Sequence, residues 1–228
     1  MNWGAVIVAA GRGTRFGRPK QLIEIAGRPM LAWSFKTFAA MPEIDAIVVV
    51  TESEWLDEVK EMTSATAPGR AVAVVTGGAT RQESVLRGLR ALPDSCDAVL
   101  VHDGARPLVQ AADVRAGMRQ VQPGRAAVLA APVVDTIKVV DPGTMLVERT
   151  LERKQLWAAQ TPQFAMREEL LRAHDAATAL SLEATDDVAL LEAIGIDVVI
   201  VPASVENFKV THPGDVARAQ ALLGASLP

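Results

Sequence analysis

Residues 5–21, "AVIVAAGRGTRFGRPKQ", run from a β-branched apolar stretch straight into a bend that holds three glycines, three arginines and a lysine. The apolar part does not alternate with polar residues, which marks a strand covered on both faces, as in a parallel sheet. The bend that follows lacks bulk at Ala9, Ala10, Gly11 and Gly13. Small residues let a polyanion approach the backbone, and consecutive amides in such a bend form a nest for phosphate oxygens. Arg15 and Lys20 add the counter-charge that amides cannot supply. Two familiar loops fail on spacing. A dinucleotide fingerprint needs its third glycine one position before Gly17, and a P-loop lysine is followed by Ser or Thr, whereas Lys20 is preceded by Pro19 and followed by Gln21. The loop by itself fits either a nucleotide phosphate site or a solvated glycine turn.

Outward from this stretch, similar apolar runs recur at 46–51, 71–78, 98–104, 126–133 and 197–203, each bounded by Gly, Asp or Pro. Helical patterns at 29–41, 53–64, 80–92, 111–122, 166–180 and 213–223 separate them. The alternation predicts βαβ units and an α/β fold with a doubly wound, mostly parallel sheet. Ligands in such sheets sit beyond the C-terminal ends of the strands, so the loops after the strands are the places to look for chemistry. One segment breaks the pattern. Residues 133–153, "VVDTIKVVDPGTMLVERTLER", read as a hairpin around the turn "DPG" with no helix to cover it. It is either an edge ribbon on its own subunit or an arm that docks on a second one.

At 228 residues and 50% hydrophobic, the chain can bury the core of one large α/β domain, and the expected organisation is a single domain with 133–153 as a β-arm subdomain. A formal net charge of −4 argues against general nucleic-acid affinity, so an anionic substrate must be held by a local basic cluster. Cys96 is the only cysteine, which rules out an intrachain disulfide and reads as a small buried hydrophobe. No segment approaches the ~18 apolar residues of a membrane span, and the N-terminal stretch has neither a basic flank nor a cleavage-like site. A cytoplasmic location without membrane association is the expectation. His102, His174 and His212 share no metal-ligand spacing, and the four tryptophans fit core or interface positions better than base-stacking platforms.

The stretch "AAGRGTRFGRPKQ" resembles the signature of the sugar-phosphate nucleotidyltransferases. The later segments "GGATRQESVLRGL", "VLVHDGARPLV", "AAPVVDTIKVV", "LERKQLWAAQTPQF", "EATDDVALLEAIG" and "NFKVTHPGD" are similar, in order and over nearly the whole chain, to the 2-C-methyl-D-erythritol 4-phosphate cytidylyltransferase family. The resemblance implies a Rossmann-like nucleotidyltransferase fold. It also implies a reaction in which a phosphate oxygen of the sugar-alcohol phosphate attacks the α-phosphorus of CTP and expels pyrophosphate. Both reactants are anions, so the protein's task is to hold them together and neutralise the transition state.

The resemblance also implies roles. Arg15 and Lys20 sit on the triphosphate; Lys209 neutralises the attacking phosphate from the opposite side. Arg153 and Thr136 hold the sugar phosphate from the neighbouring subunit's arm, which makes the protein a homodimer with a shared site. Gly77, Gly78 and Ser84 recognise cytosine, with Ala9, Ala10, Gly11 and Gly13 at the phosphates and Gly104 under the ribose. Arg106 and Thr185 are further contacts for the sugar phosphate. Asp103 is the carboxylate nearest the sugar hydroxyls or a divalent cation, expected to be Mg2+ and held otherwise by phosphate oxygens. Ala79 departs from the family pattern, where an acidic residue is common, and this weakens a side-chain contact at that position. Thr80 is read as the N-cap of the 80–92 helix, and Thr185 as a cap at a helix start whose amides favour an anion. With the chain ending at "LLGASLP", no fused second enzyme is expected. Two other readings stand beside this one: a cytidylyltransferase for ribitol 5-phosphate, and a non-catalytic nucleotide-binding protein on the same fold.

Overall fold

The computed structural model describes residues 1–11 and 19–225, with residues 71 and 72 described by their backbone alone. In chain order the elements are β1 (Trp3–Val8), β2 (Glu24–Ile25), β3 (Arg28–Pro29), α1 (Met30–Ala39), β4 (Ile44–Thr51), α2 (Leu56–Thr66), β5 (Ala71–Thr76), α3 (Arg81–Ala91) and β6 (Ala98–Asp103). There follow α4 (Ala111–Met118), β7 (Arg125–Pro132), β8 (Lys138–Val140), β9 (Val147–Thr150), β10 (Trp157–Met166), α5 (Arg167–Leu180), α6 (Asp187–Ala193), β11 (Asp197–Pro202) and α7 (Pro213–Gly224). Each of the six apolar runs forms a strand and each of the six helical patterns forms a helix, with ends shifted by a few residues.

Seven strands make one sheet in the order β11-β7-β10-β6-β1-β4-β5. The ladders β1–β4, β1–β6, β4–β5 and β11–β7 are parallel, and β10 runs antiparallel to both β6 and β7. The continuous valine run of β4 is explained by its place between two strands with helices on either face. Alternate side chains serve the two layers. Ala5 and Ile7 of β1 face α1, α2 and α4 through Leu31, Phe35, Phe38, Val59 and Val114. Val6 and Val8 face α3, α5 and α6 through Val85, Leu89, Leu170, Ala173, Leu190 and Leu191. The approach of α3 to the sheet is set by Gly88: a Cβ there would lie 2.4 Å from Val6 Cγ1 and 2.9 Å from Val50 Cγ2. That closeness sets the height at which the first turn of α3 stands above the strand ends.

The chain steps from β1 outward to β4 and β5, then returns to lay β6 on the other side of β1. A crevice therefore opens at the C-terminal ends of β1 and β6, where successive connections leave in opposite directions. A third, smaller cluster joins Val210, Ala219 and Leu223 to Met30, Ala105 and Leu108, so that α7 pins residues 207–212 over this crevice.

Two sequence expectations need amending. The first run was expected to stay in the ladder through Ala10, but β1 ends at Val8, and Ala9 and Ala10 already belong to the crevice. The hairpin is shorter than residues 133–153: β8 and β9 pair over three and four residues, around a turn in which the Asp141 carboxylate accepts from the Gly143 and Thr144 amides and the Thr144 hydroxyl. Val134, Met145, Leu146 and Val147 are 58–70% exposed on it. None of the described helices is long and apolar enough to cross a membrane.

Candidate active site

Three separate stretches of chain meet at the crevice. The stretch after β1 supplies Ala10 and Gly11, and a single helical turn over Lys20–Leu22 supplies Lys20; the end of β6 supplies Asp103; the segment before α7 supplies Lys209. All of them line one pocket, together with Arg81 from the first turn of α3. Lys20 Nζ donates to the Val210 carbonyl at 2.9 Å, which brings it beside Lys209 across 190 residues of sequence. Lys209 Nζ lies 2.8 Å from Asp103 Oδ2. Gly13 and Arg15, expected on the triphosphate, lie outside the described residues.

Asp103 is the centre of this cation cluster. Its Oδ1 accepts from Arg81 Nε at 3.0 Å, and Arg106 Nε stands 4.0 Å from its Oδ2. Burial by itself would push the Asp103 carboxyl up, but the Arg81 guanidinium and the Lys209 ammonium override it and hold the group well below the usual carboxylate range. Asp103 is therefore a permanent anion whose two oxygens both face cations.

Beneath it lies a buried hydrogen-bond frame. The Thr161 hydroxyl accepts from the Asp103 amide at 3.0 Å and sits 3.1 Å from His102 Nδ1, while His102 Nε2 sits 3.1 Å from the Arg106 carbonyl. Since a carbonyl can only accept, Nε2 carries the proton and Nδ1 receives one from Thr161, which fixes a neutral imidazole. Burial pushes the His102 pKa down to about 4, against the partial opposition of Asp103. The unfolded imidazole takes up its proton near pH 6.5, so between pH 6.5 and about 4 the unfolded chain binds more protons and the fold loses stability as pH falls. The expected loss is about 3 kcal/mol over that window. Urea midpoints measured from pH 7 to 4 check this, with a His102→Gln variant expected to lose the slope. A slope that persists in the variant would assign it to other groups.

The same frame carries Lys209. Asn207, fully buried, donates from Nδ2 to Gln160 Oε1 and to the Thr161 carbonyl, both at 2.9 Å, and Gln160 Nε2 donates to the Ser204 carbonyl at 3.1 Å. Arg106 Nη1 donates to the Asn207 carbonyl at 2.8 Å. Arg106, a candidate contact for the sugar phosphate, is thus turned inward and clamps the turn that presents Lys209 two residues later. Gln160 and Thr161 come from β10, a strand that the sequence reading did not identify.

The loop after β5 differs from expectation in its use of the backbone. Thr80 caps α3 as read, accepting from the Glu83 amide. Gly77 is required by closeness, since a Cβ there would lie 2.3 Å from Ala10 Cβ and 2.8 Å from Ser84 Oγ. Of the two residues whose backbone was expected to face a base edge, Gly77 donates its amide to the Thr51 carbonyl at 2.7 Å and Gly78 to Ser84 Oγ at 3.0 Å, and the neighbouring Ala79 amide donates to Glu83 Oε2 at 2.7 Å. Ser84, wholly buried, also donates to the Thr80 carbonyl, so its hydroxyl holds the shape of the loop against the Ala10 end of β1. The Glu83 carboxylate occupies the neighbourhood of position 79, where Ala79 has none to offer.

Around Thr185 the anion reading of the helix start gives way. Asp186 rather than Thr185 caps α6, accepting from the Ala189 amide, and the amides of Asp187 and Val188 both donate to Gln163 Oε1. The helix start is thus satisfied from within, and Thr185 stays exposed beside it. Gly104 follows Asp103 at the mouth of the crevice, with its amide on the Val8 carbonyl at 2.8 Å. Thr136 and Arg153 are not brought to this pocket: both are exposed on the arm, and Arg153 Nη1 donates to the Val134 carbonyl at 2.7 Å. Asp187, buried under α6 and bound to Arg81 Nη2 at 2.8 Å, is a further group that sequence reasoning left without a partner.

A family model described as 2-C-methyl-D-erythritol 4-phosphate cytidylyltransferase (IspD) matches residues 4–225. The chain belongs to that family. A protein of this name from Prochlorococcus marinus is 43% identical over 221 residues, covering 96% of each chain. A bifunctional IspD/IspF enzyme from Desulforudis audaxviator is also 43% identical, over 96% of this chain, and the chain spans only 56% of that relative's length. The crystal structure of 4-diphosphocytidyl-2C-methyl-D-erythritol synthase from Anaerococcus prevotii superposes with a TM-score of 0.85 at 29% identity, over 97% of both chains. The shared fold extends over the crevice between β1 and β6.

Proposed function

We propose that this chain joins CTP to 2-C-methyl-D-erythritol 4-phosphate, as the name of its family implies. A phosphate oxygen of the sugar alcohol forms a bond to the α-phosphorus, the bond from that phosphorus to the bridging oxygen of the β-phosphate breaks, and pyrophosphate leaves with the electron pair. The observation that carries the reading is the meeting of Lys20 and Lys209, from opposite ends of the chain, beside one ionised carboxylate at the switch point of the sheet. Two phosphates repel. Cations fixed on both sides of the transfer lower that cost most where charge gathers, in the transition state. The attacking phosphate is already ionised, so no general base is needed. Arg106 and Asn207 orient the Lys209 turn, and Ser84 and Glu83 fix the loop that closes the other wall.

The donor set fits a divalent cation that arrives on the triphosphate. Asp103 is the acidic residue lining the pocket, it already holds two cations, and no cluster of three acidic, His or Cys side chains occurs among the described residues. Asp103 would hold such an ion through its coordinated waters. Magnesium, when bound, supplies charge neutralisation along the triphosphate.

The arm supports a dimer with shared sites. Its apolar residues Val134, Met145, Leu146 and Val147 are uncovered on their own subunit, and Arg153 and Thr136 sit on it away from their own pocket. A second copy would cover the one and use the other. A cytoplasmic location fits such a chain.

Pyrophosphate release measured with each nucleoside triphosphate and a panel of sugar phosphates tests the reaction. Turnover is expected with CTP and 2-C-methyl-D-erythritol 4-phosphate; turnover with ribitol 5-phosphate instead, or none with any pair, overturns the reading.

A further inference from the structure

We propose that Asp187 is a positioning residue for the transfer step, acting through Arg81 to hold Asp103 with one carboxylate oxygen turned to Lys209. The inference rests on the role given above to Lys209. Four charges of alternating sign run from the core to the pocket. Asp187, 2% exposed, binds Arg81 Nη2 at 2.8 Å; Arg81 Nε binds Asp103 Oδ1 at 3.0 Å; Asp103 Oδ2 binds Lys209 Nζ at 2.8 Å, and Lys209 alone of the four is more than a third exposed.

The geometry of the guanidinium makes this chain directional. Its N–H groups form a planar fork, so once Nη2 is fixed on Asp187 the direction of Nε is fixed as well. With Oδ1 taken, the Asp103 carboxylate cannot rotate, and Oδ2 is left for the lysine. Asp187 is itself rigid. Its amide is tied to Gln163 Oε1 at 2.9 Å, and its other oxygen, Oδ1, lies 3.7 Å from Nε2 of the buried His174. It does not line the pocket, while Arg81 does. A buried carboxylate needs a compensating partner to be tolerated at all, and an apolar side chain at this position under α6 would be the simpler solution for packing alone. What the carboxylate adds is the aim of Arg81. The charges follow the same order, with Arg81 holding the Asp187 carboxyl below its ordinary range against the effect of burial.

The test is a double-mutant cycle on the full-length chain, with kcat read from pyrophosphate release and folding checked by circular dichroism. Asp187→Asn keeps the shape and removes the charge; it is expected to lower kcat by about 10- to 50-fold in the native background and by less than about twofold when Lys209 is already methionine. A merely structural role would multiply the two losses, because a weakened fold harms a Lys209→Met enzyme as much as the native one. Equal factors in both backgrounds, or native kcat in Asp187→Asn, overturn the inference. Should Asp187→Asn not fold, Arg81→Lys decides: a point charge cannot reach both carboxylates, and the same loss, absent in the Lys209→Met background, is expected. If Lys209→Met alone keeps native kcat, the assignment of Lys209 fails first, and that outcome is distinct from additivity in the cycle.

Discussion

Lys209→Met is expected to lower kcat by about 10²- to 10³-fold while the chain stays folded, a loss typical of deleting one fixed charge from a transition state. The argument has two halves. Methionine keeps the apolar stem of the side chain and deletes the ammonium, so the packing against the pocket wall survives. Asp103 is not orphaned either, because Arg81 remains 3.0 Å from its Oδ1 and the lost partner is 39% exposed. The carboxylate side of the pair is only 10% exposed but keeps Arg81, so losing the lysine should cost about 1–3 kcal/mol of stability, a loss a folded domain tolerates. The charge removed is the one proposed to neutralise the attacking phosphate, and the loss should therefore appear in single-turnover rates as well as in kcat. Lys20→Met is expected to behave alike from the triphosphate side. Near-native rates in both variants would remove the electrostatic mechanism.

The second large effect is a recovery. Arg153→Ala and Lys20→Met are each expected to be inactive alone and to regain activity when mixed and allowed to exchange subunits. If each site joins the body of one subunit to the arm of the other, a hybrid dimer holds one site with both defects and one with neither. Random exchange of equal amounts makes half of the dimers hybrids, each with one intact site, so about a quarter of native activity should return. Silence after demonstrated exchange would mean that Arg153 serves its own subunit or none. The arm's position favours recovery, since Arg153 rests on the Val134 carbonyl, exposed, and is absent from the pocket of its own chain.

Much of the floor of this site can be read in the sequence because its residues stand at the ends of strands that have no other plausible use. Runs such as "AIVVVT" admit burial on both faces and little else, and Lys20 and Asp103 follow from where such runs stop. The strand β10 escapes that logic. Its sequence, "WAAQTPQFAM", has an interior proline, two glutamines and several alanines, with no β-branched run. Those features are its function in the fold. Between Ala159 and Gln163 the ladder with β7 breaks register, and the polar side chains released there hold Asn207, His102 and the start of α6. Arg81 could be placed on a helix face but not beside its partners, since the two carboxylates that it joins lie 22 and 106 residues away. The engaged amides of Gly77 and Gly78 were hidden for a similar reason: a glycine pair announces closeness without saying to what.

The reversed direction of β10 has a consequence for how this architecture can vary. Pro132, the last residue of β7, and Trp157, the first of β10, are neighbours in the ladder. Residues 133–156 therefore leave and re-enter through a single doorway on the catalytic rim, as an elaborated hairpin loop does. Lengthening, trimming or exchanging that excursion would not re-thread any strand. A change in the arm's reach would leave the cation-lined floor untouched, because no residue of 133–156 lines that pocket.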